Sequence, residues 1–238
     1  STRSRCTTSC TTKTSSRQAV PHVNRYLAKR QLQLERLAAK YRVPICRNDW
    51  RLASYRNRFR GRRAFIIGNG PSLRIQDLDK LKGELCLASN KIYLAFSETD
   101  WRPDFIFLED QEVIRHTREK LDLLKGIQVM MPHTTSLPVE DLLQYHYAWL
   151  KLPPPLMPDF GVHPQEAFYW GFTVTFTMLQ WAYYCGVREV YLLGIDFKYV
   201  VDNPQNVKRD GLTQFYQSSG EPNHFHKDYY TPGVTWMI

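Results

Sequence analysis

The stretch Ala64-Phe65-Ile66-Ile67-Gly68-Asn69-Gly70-Pro71-Ser72-Leu73 decides how the rest of this chain is interpreted. Its apolar start, closed by a glycine, is typical of a buried strand in a parallel sheet. Its glycines permit φ > 0 and the close approach of a ligand, and Pro71 suits the first turn of a helix. A helix N-terminus behind a glycine turn presents main-chain N–H groups and a positive dipole end to an anion. The predicted nucleotide-phosphate ligands are therefore Gly68, Asn69, Gly70 and Ser72.

Two familiar nucleotide motifs are absent from this turn. Leu73 stands where the dinucleotide fingerprint needs its third glycine, and no Gly-Lys-Ser/Thr sequence follows as in a Walker A loop. These departures argue against NAD and P-loop chemistry. A tight strand-to-helix turn that binds nothing would show the same two glycines, so that alternative stays open.

Strand-length apolar runs alternate with helix-like segments from about residue 62 onward. This alternation predicts an α/β fold with a Rossmann-like, mostly parallel, doubly wound sheet, which binds ligands beyond the carboxyl ends of its strands. The predicted strands are 64–67, 84–88, 105–108, 127–131 and 189–193. The predicted helices are 75–81, a segment that ends near 124, 139–146 and 172–185, with Gly186 closing the last. The proline-rich residues 150–165 are predicted to form a long loop.

Polar side chains follow several of the predicted strands. Asn90 comes after the second strand, Asp110 after the third and Asp196 after the last. Because parallel strands end at one edge of a sheet, we expect these side chains to line the same crevice as Asn69. The amides could hold a phosphate or a sugar oxygen. The two aspartates could bind a magnesium–phosphate unit, bond a ribose or cap a helix, and these alternatives stay open.

The segment Asn223-His224-Phe225-His226-Lys227-Asp228-Tyr229-Tyr230 is dense in groups that exchange protons. Histidine has the side-chain pKa nearest neutrality, so it is the usual general base. In an extended segment His224 and His226 share a face, so that one could act on the reaction while the other holds the substrate. We predict these two histidines as the catalytic residues. A structural cluster of satisfied polar groups is the alternative, and no third ligand completes a metal site.

Positive charge is concentrated at the start of the chain. The formal net charge of the 238 residues is +9, and residues 1–63 alone carry 17 basic and two acidic side chains. We expect a disordered basic tail over 1–21, a helical basic arm over 22–61 and a Rossmann-like nucleotide-binding domain over 62–238. The arm could contact an anionic membrane surface or a neighbouring subunit, whereas no specific nucleic-acid partner is expected.

The composition indicates a cytoplasmic protein. No uninterrupted apolar run approaches the roughly 18 residues of a membrane span, and no apolar core follows the Ser/Thr/Arg-rich start as in a secretory signal. The five cysteines are scattered, which is typical of reduced structural thiols. We expect a cytoplasmic chain, peripheral at the inner membrane face if the arm binds lipid. The sequence starts without Met and stops on Trp236-Met237-Ile238, so we also expect a fragment of a longer protein.

Several blocks of the sequence carry a family resemblance. They are Gly68-Asn69-Gly70-Pro71-Ser72-Leu73, Asn90-Lys91-Ile92-Tyr93-Leu94, Pro103-Asp104-Phe105, Thr173-Val174-Thr175, Gly186-Val187-Arg188-Glu189-Val190-Tyr191-Leu192-Leu193-Gly194-Ile195-Asp196-Phe197 and Asn223-His224-Phe225. Together they resemble the domain family named for 6-hydroxymethylpterin diphosphokinase, the MptE-like family. The same blocks are similar to bacterial CMP-sialic-acid-dependent sialyltransferases of the lipooligosaccharide type and to motility-associated flagellin-glycosylation factors. The resemblance extends over about residues 62–236.

The resemblance to the sialyltransferases implies a metal-independent transfer of a sugar from a CMP-linked donor to a surface-glycan acceptor, with no cofactor required. It implies that Asn69 and Asn90 hold the nucleotide and its phosphate. It also implies that the catalytic histidine follows the Gly-Ile-Asp strand, as His224 or His226. A family serine aligns with Val174 here, so the hydroxyl would come from a flanking residue, Thr173 or Thr175.

The resemblance to the pterin kinase implies a different reaction, diphosphate transfer from ATP with Mg²⁺ held by carboxylates such as Asp110 and Asp196. The long proline loop and the aromatic tail are more similar to the glycan enzymes. The resulting hypothesis is a sialyltransferase-like glycosyltransferase of polysaccharide biosynthesis. A diphosphokinase is the first alternative, a non-catalytic nucleotide-binding module of a glycan-synthesis complex is the second, and a homo-oligomer is compatible with each.

Overall fold

The computed structural model describes residues 34, 37–38, 40–135, 137, 142–151, 156–198, 200, 207–210, 213–217, 223–229 and 235–237. The predicted basic tail over 1–21 and the first part of the predicted arm, 22–33, lie outside the described residues. Further along the arm, Leu34, Leu37, Ala38 and Lys40 are helical, and helix α1 (Arg47–Ala53) follows. The described part of the arm therefore contains helix.

The remaining elements alternate between strands and short helices. The strands in chain order are β1 (Arg63–Ile67), β2 (Leu85–Ser89), β3 (Phe105–Phe107), β4 (Gln128–Pro132), β5 (Leu143–Tyr147), β6 (Trp149–Leu150), β7 (Phe168–Tyr169), β8 (Glu189–Leu193), β9 (Val207–Asp210), β10 (Thr213–Gln217) and β11 (Thr235–Met237). The other α-helices are α2 (Ile75–Leu78), α3 (Gln111–Thr117) and α4 (Val174–Tyr184). Turns of 3₁₀ helix cover Asp79–Leu81, Asn90–Ser97 and Leu121–Leu124.

The central sheet has six strands in the order β5-β4-β3-β2-β1-β8, and every neighbouring pair is parallel. From β1 the chain moves outward through β2 to β5, then crosses back to place β8 on the other side of β1. The direction of winding therefore reverses beside β1, and doubly wound sheets bind ligands at such a point. The predicted Rossmann-like α/β fold is confirmed.

Two apolar clusters cover the two faces of the sheet. Within β1, Ala64 and Ile66 belong to the cluster that contains Trp181 of α4, whereas Ile67 belongs to the cluster on the other face with Ile92. All five of these side chains have no exposed surface. Because the strand is buried on both sides, its sequence is a continuous apolar run rather than an alternating one.

Helix α4 closes one face of the sheet, and its ends are defined by capping groups. The Thr173 hydroxyl accepts from the main-chain N–H of Thr175 at 3.3 Å. Gly186 has φ +90° just after the last turn, as predicted for the residue that closes this helix. Neither α4 nor any other helix in the described part of the chain is long and apolar enough to cross a membrane.

One predicted helix is wrong. Residues 139–146 were expected to be helical, but 143–147 form β5, the outermost strand of the central sheet. Burial alternates along it: Leu143 is exposed, whereas Tyr145 and Tyr147 are buried. This period of two is the pattern of a half-buried strand, and pairing with β4 along its whole length stabilises it. The short pair β6–β7 and the antiparallel sheet β9–β10–β11 were not predicted either.

Candidate active site

The glycine turn after β1 is packed against the chain that leaves β8. The Gly68 N–H donates to the Leu193 carbonyl and the Gly70 N–H to the Gly194 carbonyl, each at 2.8 Å. A β-carbon added at Gly68 would lie 2.4 Å from the Gly194 oxygen, and one at Gly70 would lie 1.9 Å from Asp196 Oδ2. Neither Gly68 nor Gly70 has a positive φ, so the expected conformational reason for them is wrong. They are glycines because two chain segments meet there without room for a side chain.

The predicted helix start at Pro71 is also wrong. Helix α2 begins at Ile75 and has only four residues, so no helix dipole points at the turn. The Ser72 N–H, predicted to bind phosphate, instead donates to Asp196 Oδ2 at 3.3 Å. A phosphate bound at Ser72 would have to displace the protein's own carboxylate.

Asn69 is the buried polar side chain of this turn, with 8% of its surface exposed. Its Nδ2 donates to the Ser89 carbonyl at 3.0 Å and to the Ser89 hydroxyl at 3.1 Å, which ties the end of β1 to the end of β2. A carbonyl can only accept, so these bonds fix which end of the amide is nitrogen. Asn69 Oδ1 is buried and has no hydrogen-bond partner within the described chain. It is therefore an acceptor that no donor among the described residues satisfies.

Asn90 occupies the corresponding position just after the end of β2. It has φ +52°, a left-handed conformation that asparagine tolerates better than most residues. Its Oδ1 is likewise buried without a partner in the part of the chain that the structure describes. Leaving a buried acceptor unsatisfied costs on the order of 1–3 kcal/mol. Two such acceptors at neighbouring strand ends indicate a site for a ligand that supplies hydrogen-bond donors.

The segment 223–229 lies on this same corner of the molecule. The main-chain N–H of Phe225 donates to the Asn69 carbonyl at 2.9 Å. Lys91 Nζ, buried just after β2, donates to the Tyr229 carbonyl at 2.7 Å. The His224 ring stacks on the Tyr229 ring with centroids 3.7 Å apart and planes 6° apart. The segment that carries the predicted histidines is thus held against Asn69 and against Lys91, the residue after Asn90.

A hydrogen bond of His226 bears on the role that its ring could take. His226 Nδ1 accepts from the Asp228 main-chain N–H at 3.2 Å. An N–H donor requires a lone pair on Nδ1, so the proton of the neutral ring is on Nε2. While this bond lasts, His226 presents a donor rather than a base. His224, which stacks on Tyr229, is the better candidate for the base.

The predicted aspartates have structural partners. Asp110 is the N-cap of α3, where its Oδ1 accepts from Glu112 N at 2.7 Å and from Val113 N at 3.3 Å. Asp196 holds the Ser72 N–H, as described above. No group of three His, Cys, Asp or Glu residues in the described ranges is arranged to hold a metal ion. Both carboxylates therefore have capping or turn-stabilising roles in this structure.

Sequence reasoning missed the residue next to Asp110. Glu109 is 8% exposed, and its Oε1 accepts a hydrogen bond from the Tyr147 hydroxyl at 2.7 Å. Burial raises the pKa of Glu109, and Thr177, Tyr147 and Lys151 offset only part of that effect. Both residues follow β3, and the sequence could not say which of them points inward.

Thr173 and Thr175 lie at the amino end of α4. Thr173 caps the helix, and Thr175 is buried. Because α4 packs along β1 and then leads into the start of β8, its first turn lies at the carboxyl edge of the sheet. None of the hydrogen bonds between described residues joins Thr173 or Thr175 to Asn69 or Asn90.

A cavity of about 570 Å³ lies at the opposite edge of the sheet. Its lining residues come from the segment before β1 and from the loop that leads into β8: Asn57, Arg60, Gly61, Arg62, Gly186, Arg188 and Glu189. Strands of five residues separate the two edges by about 16 Å. None of the predicted site residues lines this cavity, so it is not part of the site at the strand ends.

The fold and the site define a doubly wound α/β domain with polar groups at its switch point. A family model described as 6-hydroxymethylpterin diphosphokinase MptE-like matches residues 46–202, so the chain belongs to the MptE-like family. Among solved structures it is similar to the MAf glycosyltransferase from Magnetospirillum magneticum AMB-1, with 21% sequence identity and a TM-score of 0.38. That match covers 64% of this chain and 29% of the solved one, so this chain spans less than a third of that protein's length. No curated protein matches it.

Proposed function

We propose that this chain is a glycosyltransferase of the sialyltransferase-like type, which takes a sugar from a nucleotide-linked donor at the carboxyl edge of its sheet. The hydrogen bond from Phe225 N to the Asn69 carbonyl, 2.9 Å long, carries the proposal. It docks the histidine-bearing segment onto the turn at the switch point, where doubly wound folds bind nucleotides. A proton acceptor and a nucleotide site in one place are what transfer to a hydroxyl acceptor requires.

The orphan amide oxygens support a nucleoside contact in particular. Asn69 Oδ1 and Asn90 Oδ1 are acceptors, and they lie at the ends of adjacent strands. Ribose hydroxyls and the exocyclic amino group of cytosine are donors, whereas phosphate oxygens at neutral pH are acceptors. We therefore assign both asparagines to the nucleoside of a CMP-linked donor. The sequence-based expectation was that the Asn69 amide donates to a phosphate or sugar oxygen, whereas here its oxygen accepts from the nucleoside.

In the proposed reaction His224 removes the proton from the acceptor hydroxyl. The resulting oxygen attacks the anomeric carbon of the donor sugar, the bond from that carbon to the phosphate breaks, and CMP leaves. His226, with its proton on Nε2, donates a hydrogen bond to the substrate while Nδ1 remains bound to Asp228 N. Histidine is the side chain that most often serves as a general base, which suits the role proposed for His224.

A thermal-shift panel with CMP, UDP, GDP and ATP, each with and without Mg²⁺, tests the donor class. We expect CMP to raise the melting temperature most and independently of Mg²⁺.

Hydrolysis of CMP-N-acetylneuraminic acid is then measured on His224→Ala, on His226→Ala and on the double variant. His224→Ala should lower the rate of hydrolysis by about 10²-fold or more, as expected when a general base is missing. Full activity in both single variants and the double would remove the histidines from the reaction.

Diphosphate transfer from ATP is the second candidate, because the family description names such a kinase. That reaction would use Mg²⁺ on carboxylates, and Asp110 and Asp196 are the sequence-based candidates. Both accept main-chain N–H groups here, which favours the glycosyltransferase. A rise in melting temperature that requires ATP together with Mg²⁺ would instead favour the diphosphokinase. Tight nucleotide binding with no turnover would instead indicate a non-catalytic module.

The cellular setting of this proposal follows from the basic arm. We propose that the enzyme acts in the cytoplasm and that its arm contacts the anionic inner face of the membrane, near a surface-glycan acceptor. Lys and Arg near such a surface contribute about 1 kcal/mol each. Flotation with vesicles of phosphatidylglycerol, compared with phosphatidylcholine alone, measures this contact. Equal recovery with both vesicle types would contradict the membrane part of the proposal and leave the reaction untouched.

A further inference from the structure

The cavity at the amino edge of the sheet has no role in the mechanism above. Its volume of about 570 Å³ is within the range of pockets that hold small molecules. Arg60, Arg62 and Arg188 are among its lining residues, and Glu189 is the carboxylate among them. We call it the basic cavity, because three guanidinium groups and one carboxylate give it a net positive charge. Such a cavity attracts anions.

The backbone around the basic cavity is fixed where the loop before β1 meets the end of α4. The main-chain N–H of Asn57 donates to the Tyr184 carbonyl at 3.1 Å. A β-carbon added at Gly186 would lie 2.9 Å from the Cα of Asn57 and 3.3 Å from the Cα of Arg60. The two segments therefore meet without room for a side chain, which brings the loop that carries Arg60 beside Arg188. A binding site whose backbone is already in place costs less to order on binding.

Two of the three guanidinium groups are held by the protein. Arg62 Nη2 donates to the Gly83 carbonyl at 2.9 Å. Arg188 Nη1 donates to the Val187 carbonyl at 2.9 Å and to the Tyr183 carbonyl at 3.2 Å. Each guanidinium has five N–H donors, so both keep donors for a ligand after these bonds are made. The bonds of Arg188 also offset the partial negative charge at the carbonyl end of α4.

The acidic side chains near the basic cavity have other partners. Glu189 accepts a hydrogen bond from the Tyr191 hydroxyl, and Glu84 forms an ion pair with Arg63 at 2.5 Å. The hydrogen bond from Arg63 is the largest cause that lowers the pKa of Glu84, and Arg62 adds a smaller electrostatic effect. None of the three cavity arginines forms an ion pair with a carboxylate in the part of the chain that the structure describes. Their charge is therefore mostly uncompensated.

We propose that the basic cavity binds a ligand that carries a diphosphate or phosphomonoester group, held by Arg60, Arg62 and Arg188. The inference does not depend on the reaction proposed above, because the cavity lies about 16 Å from the strand ends. One guanidinium is enough to pair both oxygens of a carboxylate. Three of them match the larger number of oxygens and the charge of about −1.5 or more on a phosphate group. A soluble phosphate compound and a lipid headgroup share this chemistry.

Isothermal titration calorimetry with inorganic pyrophosphate tests the site, at low ionic strength because the arginines are exposed. Arg60→Gln and Arg62→Gln should each weaken binding by about tenfold or more, because charge-assisted hydrogen bonds are lost. Arg60→Lys should be intermediate, since it keeps the charge but loses the planar fork. Arg58→Gln is the matched control: it removes the same charge from the same loop, but the Arg58 guanidinium lies over the Tyr55 ring, 4.9 Å from its centroid, and does not line the cavity.

Sedimentation with vesicles distinguishes the two sources of the phosphate. Phosphatidic acid carries a phosphomonoester, whereas phosphatidylglycerol carries a phosphodiester, and the basic arm would contact either lipid. A lipid ligand predicts a preference for phosphatidic acid that Arg60→Gln reduces and Arg58→Gln retains. A soluble ligand predicts pyrophosphate binding with no such preference. Either result supports the phosphate site.

Three results would overturn the proposal. The first is an unaltered chain that neither binds pyrophosphate nor prefers phosphatidic acid. The second is equal weakening by Arg58→Gln and Arg60→Gln, since the overall charge of the loop would then account for binding. The third is loss of pyrophosphate binding in Asn90→Gly, which would place the anion at the strand ends instead. The Arg60 side chain is exposed and makes no hydrogen bond to another described residue, so Arg60→Gln should melt at the same temperature as the unaltered chain.

Discussion

The carboxylate of Asp196 occupies the space that a β-carbon at Gly70 would need, since its Oδ2 lies 1.9 Å from that position. The same oxygen accepts the Ser72 N–H at 3.3 Å. The turn after β1 is therefore held by a side chain from beyond β8 rather than left open for a phosphate. This turn requires glycines for steric reasons. A β-carbon at Gly68 would lie nearest a main-chain oxygen, and one at Gly70 would lie nearest a side-chain oxygen.

Alanine substitutions at the two glycines should differ in severity. Gly68→Ala meets the Gly194 main-chain oxygen at 2.4 Å, which moves only if the sheet edge moves. Gly70→Ala meets the end of the Asp196 side chain at 1.9 Å, which can rotate away, and the Gly194 main-chain oxygen at 2.9 Å, which is less close than at Gly68. Overpacking of this kind costs about 1–3 kcal/mol, and we expect Gly68→Ala at the upper end of that range. Urea unfolding of both variants measures the difference.

A double-mutant cycle provides the control for this assignment. Asp196→Ala should rescue part of the loss caused by Gly70→Ala, because it removes the obstructing carboxylate, and should not rescue Gly68→Ala. Additive effects for both pairs would show that the carboxylate is not what excludes a side chain at Gly70.

Glu109 should make stability depend on pH. Burial raises the pKa of Glu109 in the folded chain, so the folded state keeps a proton that the unfolded state has lost. The unfolded state then binds fewer protons, and the free energy of unfolding falls as pH rises from the ordinary glutamate range through the raised pKa. Glu109→Gln removes this titration and keeps an acceptor for the Tyr147 hydroxyl. We expect its stability relative to the unaltered chain to increase with pH, as measured by urea unfolding at several pH values.

Glu166 offers a control for this measurement. It is exposed, and it follows His163 in the loop before β7. Glu166→Gln should leave the slope of stability against pH close to that of the unaltered chain. A Glu109→Gln variant with an unchanged slope would show that this carboxyl does not titrate differently in the folded state.

The thiols should differ sharply in reactivity. Cys46 is exposed, whereas Cys86 and Cys185 are buried. Burial raises the pKa of Cys86 to about 12 and also raises the pKa of Cys185, so little thiolate forms at neutral pH. We expect iodoacetamide to label Cys46 within minutes and the other two only after unfolding. Peptide mass spectrometry with and without urea measures this, and rapid labelling of Cys86 in the folded chain would contradict its place in the core.

The sequence predicted the central strands because both their faces are buried. The run that forms β1 is apolar throughout, and a glycine marks its end, so a local pattern was sufficient. The last strand of the central sheet, β8, was predicted from its apolar run as well, although it lies at an edge of the sheet and none of its residues is buried. The helix before it was predicted together with Gly186, which has φ +90° after its last turn. The family resemblance is confirmed by the match over residues 46–202.

The errors arose where tertiary contacts override local preference. Pro71 suits a helix start, but packing of the turn against Gly194 delays the helix until Ile75. β5 is an outer strand with one exposed face, so its apolar residues are too few to exclude a helix. The contact of Phe225 with Asn69 joins distant parts of the chain and has no local signal. The meeting of these two segments was therefore not predictable from the local sequence pattern.

Gln180 should be the most costly polar side chain to replace in α4. It is fully buried, and its Oε1 accepts the main-chain N–H groups of Gly161 at 2.7 Å and Tyr169 at 2.9 Å. Its Nε2 donates to the Tyr169 carbonyl at 2.9 Å. Gln180→Met keeps the volume but leaves these main-chain groups without a partner, each at about 1–3 kcal/mol. We expect a loss of about 3 kcal/mol or more in urea unfolding, together with faster proteolysis between residues 156 and 170.

Gln165→Met is the matched control, because the partly buried Gln165 side chain makes a single described bond, from Nε2 to the Asp49 carbonyl at 3.1 Å. Its free energy of unfolding should fall by no more than about 1 kcal/mol. Gln180→Glu retains the acceptor for both N–H groups, but it removes the donor and buries a charge. It should therefore be at least as destabilising as Gln180→Met at pH 8 and less destabilising at pH 4, where the carboxyl is protonated. Equal stability of Gln180→Met and Gln165→Met would mean that the helix, rather than this amide, holds the loop and β7 in place.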